Sequence, residues 1–202
     1  MNNIRQVFLS PQQIGALVQA GAPKPGQQNP LTLQIVMFLV LTGVRKANAL
    51  KARWCEIDAA LGLWNIPITK SGKPQNLQLS QEVLNLLQTL PSRDLSDYLF
   101  PSPKTGKPFV SIYSSWNSMR KAAGLEHVRM HDLRHTFASL LVNGGASLFM
   151  VQNALGHSNP KITMRYAHLA DHTQRLAIQN AATQLSRFLP PMTASQPAQL
   201  LA

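Results

Sequence analysis

The chain has 202 residues, with 19 Lys+Arg against 8 Asp+Glu and a formal net charge of +11. At 45% hydrophobic and 13% charged it carries enough apolar material for a core, which excludes a disordered basic tail, and its length suits one domain of about 100–200 residues. The single cysteine, Cys55, excludes an internal disulfide framework and a cysteine-built zinc site, and the longest apolar run, 35–41, falls far short of the roughly 20 residues of a membrane-spanning helix.

Ser10 reads as an N-cap and Pro11 as the first helical residue of a short helix over 12–20 that stops at Gly21. The Pro-rich stretch 22–30 predicts a surface loop. Residues 31–41 are apolar nearly all round, the pattern of a buried central helix, and 47–52 predict a short second one after Arg45. Three short strands follow, over 54–58, 62–68 and 76–79, separated by turn signals at 58–60 and 71–74. Ser80 caps a helix over 81–89 with Glu82 in its first turn, and 91–108 is loop anchored by Tyr98-Leu99-Phe100. Further helices are expected over 112–123, 131–142, 148–155 and 171–188, the middle two ended by Gly144-Gly145 and Gly156. Beyond Leu189-Pro190-Pro191 the composition turns polar and Pro-rich, which predicts a mobile tail. The expected fold class is therefore mainly α with a small three-stranded antiparallel sheet. It divides into an extension over 1–9, a globular domain over 10–188 and a tail over 189–202.

The charge favours a polyanionic partner. No acidic residue precedes Glu56, whereas Arg5, Lys24, Arg45, Lys46, Lys51 and Arg53 do. Residues 1–10 hold no apolar core ahead of a cleavage site, so a cytoplasmic protein without membrane contact is expected. Four polar clusters lie at element ends: Thr42-Gly43-Val44-Arg45, Thr69-Lys70-Ser71-Gly72-Lys73, His131-Asp132-Leu133-Arg134-His135, and Leu155-Gly156-His157 followed by Tyr166. Each alone has a plain structural account: a solvated arginine, hairpin-tip lysines that keep an edge soluble, a His–Arg pair on one helix face. His131 and His135 share zinc spacing, as do His168 and His172, but Asp132 stands where a metalloprotease helix has glutamate and no third ligand is evident, so no metal is expected. Together the clusters suit a phosphodiester. Guanidinium groups match the extra charge on its non-bridging oxygens, a lysine can protonate the departing sugar oxygen, and a tyrosine can attack phosphorus once cations make its phenolate accessible.

The ordered set, ending in His131-Asp132-Leu133-Arg134-His135-Thr136-Phe137-Ala138, then Leu155-Gly156-His157-Ser158, then tyrosine nine residues after that histidine, resembles the tyrosine recombinases, or phage integrases, from about Leu9 to about His172. The resemblance implies that family's catalytic-domain fold, that of a DNA breaking-rejoining enzyme. It also implies roles by position. Arg45 and Arg134 match the paired phosphate-binding arginines, and Lys70 the hairpin lysine acting as general acid, with Lys73 its rival. His131 matches the histidine that bonds the phosphate and helps take the tyrosine proton, His157 the second histidine, and Tyr166 the nucleophile that forms a 3′-phosphotyrosine. Neither metal, ATP nor another cofactor is implied.

The partners so implied are double-stranded DNA, other protomers on paired sites and a separate DNA-binding domain or accessory protein, in work such as integration or excision for a mobile element. Two departures from the family pattern keep an alternative open, a catalytically weak or inactive accessory DNA-binding protein of the same fold. Asn48 stands where the family has an acidic residue, and only about ten residues precede the catalytic region, where relatives carry a helical DNA-clamping domain. For the last helix, docking on a neighbouring protomer and packing of Leu176, Ile178 and Leu185 on the domain's own core are both open.

Overall fold

The computed structural model describes residues 7–23, 31–69 and 72–188. Lys70 and the tail beyond Phe188 lie outside these, as does most of the Pro-rich loop.

The first helix, α1 (Pro11–Gly21), starts as its sequence dictates. Ser10 Oγ accepts the Gln13 N–H and the Gln13 side chain accepts the Ser10 N–H, with Pro11 in the first turn where a missing N–H costs nothing. Ahead of it, Leu9 is buried and donates its N–H to Thr136 Oγ1 at 2.9 Å. Helix α2 (Leu31–Thr42) carries Ile35 and Phe38 fully buried at the molecular centre. Phe38 packs on Trp64 and Phe100, ring centroids 5.4 Å apart in both pairs, so the helix, the sheet and the 91–108 loop share one core. The short α3 (Lys46–Lys51) follows at once.

The sheet is smaller than its residue types suggest. Its strands are β1 (Ile57–Asp58), β2 (Leu63–Ile66) and β3 (Gln75–Gln78), antiparallel in the order β1-β2-β3 with Trp64 opposite Leu77 and Ile66 opposite Gln75. Trp54–Glu56, expected at the start of the first strand, is instead a 3₁₀ turn. The Glu56 carboxylate accepts both the Arg53 N–H and the Trp64 indole N–H, which curls the chain before it can pair. Ser80 caps α4 (Gln81–Gln88) through the Val83 N–H.

After α5 (Tyr113–Ala122), Arg120 donates to the carbonyls of Glu126 and Val128 and to Asn117 Oδ1, which fixes the approach to α6 (Met130–Asn143). Helix α6 packs on α2 with its first half. Its second half joins a separate apolar cluster of Ala138, Val142, Val151, Leu155 and Tyr166. That cluster is completed by α7 (Leu148–Leu155), a 3₁₀ turn Met164–Tyr166 and α9 (Ala167–Ser186), with the short α8 (Pro160–Thr163) joining α7 to the turn. The last helix therefore begins four residues before the expected Asp171, because the turn at Tyr166 runs into it without a break.

Candidate active site

Arg134 is the centre around which the polar clusters assemble. Its guanidinium, 4% exposed, donates from Nη1 to Gly43 O at 2.7 Å and from Nη2 to Leu155 O at 2.5 Å. One side chain on α6 thus ties the corner that presents Arg45 to the end of α7 that presents His157. Burial, then the nearby Arg45 charge, lowers the Arg134 pKa to about 10, so it stays cationic at neutral pH.

The two tied corners are built by glycines in the left-handed region. Gly43 has φ +62°, and a Cβ there would lie 2.2 Å from a ring carbon of Phe137, so only glycine lets the corner pack on α6 while its carbonyl faces Arg134. The chain then turns through Arg45, whose carbonyl accepts the first N–H bonds of α3. Gly156, φ +61°, ends α7 in a Schellman arrangement: His157 N–H reaches the Gln152 carbonyl and Gly156 N–H the Asn153 carbonyl, both at 3.0 Å. His157 follows, its Nδ1 2.9 Å from the hydroxyl of buried Thr163 on α8. Desolvation, then Arg134, lowers the His157 pKa to about 4, leaving the ring neutral at pH 7.

Tyr166 is 6% exposed, and its hydroxyl shares a hydrogen bond of 2.6 Å with Nδ1 of His135. Desolvation raises the phenol pKa, opposed by Arg165 and Arg134. The same burial, reinforced by His131, lowers the His135 pKa to about 4. The His131 and His135 rings meet edge to face with centroids 4.9 Å apart. His131 itself is exposed, its pKa lowered by desolvation and by Arg134, and it lines a cavity of about 200 Å³ with Val44, Lys46 and Arg134. No group of three or more potential metal ligands occurs among the described residues.

Arg45 is half-buried and lines a groove of about 530 Å³ with Asn48, Lys51, Glu56, Ile68 and Thr69. Asn48 faces that groove where the resemblance leads one to expect an acid; the carboxylate that lines it is Glu56, already held by Arg53 and Trp64. The lysine hairpin closes beside it. Thr69 donates from its N–H and its hydroxyl to the Lys73 carbonyl, and Gly72 N–H returns to Thr69 O. The fold thus brings Arg134, His131, His157, Arg45 and Tyr166 into one region, and Lys70 falls outside the described residues. Sequence reasoning missed His135 as a partner of Tyr166. Its spacing, one residue after Arg134, carries no sign of which face it shares with a residue 31 positions on.

The result is a cluster of cationic, imidazole and phenol side chains on a helical domain with a small sheet. Residues 7–173 match the model of the phage integrase family, and the chain belongs to that family. The integrase of Escherichia phage 186 is 34% identical over 143 residues, covering 66% of this chain and 39% of that protein. Tyrosine recombinase XerC of Staphylococcus epidermidis is 29% identical over 157 residues, covering 73% and 52%. The chain therefore spans about half, or less, of these relatives' length. Among solved structures, the catalytic domain of bacteriophage HP1 integrase superposes with a TM-score of 0.64 at 25% identity, covering 95% of this chain and 100% of that one.

Proposed function

We propose that the chain is a site-specific DNA recombinase whose catalytic unit, residues 10–188, breaks and rejoins strands through a 3′-phosphotyrosine. Residues 1–9 and 189–202 are the flanking extension and tail. The observation that carries this reading is the two-armed anchoring of Arg134, which holds the Arg45 corner and the His157 corner against one helix while its neighbour His135 holds Tyr166.

In this mechanism Arg45 and Arg134 bind the non-bridging oxygens of the scissile phosphate, with His131 and neutral His157 adding N–H donors. Tyr166 Oη attacks phosphorus, the bond to the 5′ oxygen breaks, and Lys70 supplies that oxygen's proton, with Lys73 the rival donor on the same turn. The phenol gives up its proton to a histidine, and His135 is the one it touches. The ester keeps the energy of the broken bond, so rejoining by a 5′-hydroxyl reverses the steps without ATP or metal. The resting nucleophile is buried and its phenol is harder to ionise than a free one, so DNA binding must also turn Tyr166 toward the phosphate. Partners are double-stranded DNA and other protomers on paired sites, in the cytoplasm, with clamping from the opposite face of the DNA supplied by a further domain or protein.

The test uses a duplex selected for binding from a randomised pool and nicked near the cleavage position, so that a cleaved strand diffuses away. A covalent protein–DNA adduct in EDTA, lost in Tyr166→Phe, is expected. Tight binding with no adduct instead identifies an accessory DNA-binding protein, and cleavage that needs added metal overturns both.

A further inference from the structure

The C-terminal carbonyls of an α-helix have no partner within the helix, so each must find a donor elsewhere. In α7 the accounting closes in an uneven way. Gln152 O accepts from Gly156 and His157 N–H, and Asn153 O accepts from Gly156 N–H, as a glycine cap provides. Leu155 O accepts from Arg134. The remaining donor comes from the sheet: Gln75 Nε2 lies 3.1 Å from Ala154 O and 3.2 Å from Asn153 O. Two elements of the site, the arginine helix and the lysine hairpin, are thus fastened to the same helix end.

Gln75 is the first residue of β3, paired with Ile66 and two residues after Lys73. The Lys73 carbonyl closes the hairpin turn onto Thr69. The Gln75 amide packs against Gly156, where a Cβ would come within 2.1 Å of its Oε1. The glycine before His157 is needed twice, for its left-handed φ and for the space that the Gln75 amide fills.

We infer that Gln75 is a positioning residue for strand cleavage: by donating to the end of α7, its amide anchors the base of the lysine hairpin, Thr69 and Lys73, to the helix end that also takes Arg134 and leads into His157. The inference rests on the proposed reading that a hairpin lysine protonates the 5′ oxygen. General acid catalysis depends on placing the donor within hydrogen-bond reach of the leaving oxygen, so a loosened hairpin costs rate in that step alone.

The test compares the wild-type chain, Gln75→Glu and Gln75→Ala on the selected nicked duplex and on the same duplex with sulfur at the 5′ bridging position. A thiolate leaves without a proton. Glutamate keeps the size of the side chain but has no N–H to donate. Both variants are expected to cleave the oxygen substrate about 10- to 100-fold more slowly than wild type, yet come within about 3-fold of it on the sulfur substrate. An equal deficit on both substrates, or none on either, overturns the inference. Lys70→Ala and Lys73→Ala run alongside: if neither regains rate on sulfur, the acid reading falls, and the Gln75 link is then judged by hydrogen exchange of the free chain. There, Gln75→Glu is expected to speed exchange at the Gly72 and His157 amides about 10-fold with helix α2 unchanged. Exchange that stays at the wild-type rate at both amides overturns the link, whatever the DNA result.

Discussion

Arg134 shows why a buried cation is tolerable here: two backbone carbonyls take N–H groups that burial strips of water, and one of them lies at a helix C-terminus, where the dipole favours positive charge. The same crowding falls on the histidines. His135 and His157 have pKa values near 4 in the folded chain against 6.5 ordinarily, so between those values the unfolded chain binds more protons and stability rises with pH. Their contribution is complete above about pH 6.5 and is lost as pH falls toward 4. Thermal denaturation should therefore show a melting temperature that drops from pH 6.5 to 5, above the range where most carboxylates titrate, and His135→Gln should make that slope shallower. Gly43 sets a sharper limit. An alanine there meets the left-handed penalty of about 1–2 kcal/mol and a clash with Phe137, so Gly43→Ala should cost more than about 2 kcal/mol in urea denaturation. A loss below about 1 kcal/mol would show that the corner adjusts freely.

Among the elements, those whose ends carry their own chemistry were legible from sequence. Ser10-Pro11 and Ser80 start α1 and α4, and Gly156 ends α7, because each satisfies or avoids an orphan backbone group through its own residue type. The first strand and the chain between His157 and Asp171 were not legible. Trp54–Glu56 has strand-forming residue types, and what bends it is a bond from Trp64, outside the segment. The short helix α8 is capped locally by Asn159, yet four residues give no periodicity to read. Its placement comes from Thr163 bonding His157. The candidate site divides along the same line. Arg45, Arg134, His131, His157 and Tyr166 stand out as residue types at element ends, while Gln75 and His135 are ordinary residues whose partners lie 79 and 31 positions away.

For the molecule as a whole, the question left open by the last helix is answered by exposure. Leu176, Ile178 and Leu185 are 50%, 62% and 61% exposed, so they do not pack on the domain's own core as one reading of the sequence held. Each leaves half or more of its surface exposed, so little buried apolar area is lost among the described residues if they change. Replacing all three with glutamine should leave urea stability within about 0.5 kcal/mol of wild type. A loss of several kcal/mol would restore the self-packing reading. The division of the interior also matters at this scale. Helix α6 is shared between the main core and the smaller cluster that includes Tyr166, and Arg134, near its N-terminal end, lies between Leu133 of the first and Ala138 of the second.

Composition and motif order by themselves determined that this is a basic, mainly helical domain with its cationic and imidazole side chains grouped at element ends, because charge, caps and helix periodicity are local properties that a sequence states directly. Tertiary structure alone decided that Arg134 is spent partly on two backbone carbonyls, that Tyr166 rests buried on His135, and that the lysine hairpin is fastened to α7 through Gln75. Each is a contact between segments far apart in the chain. A hydrogen bond of that kind depends on where two backbones pass each other, and no single stretch of residues encodes that.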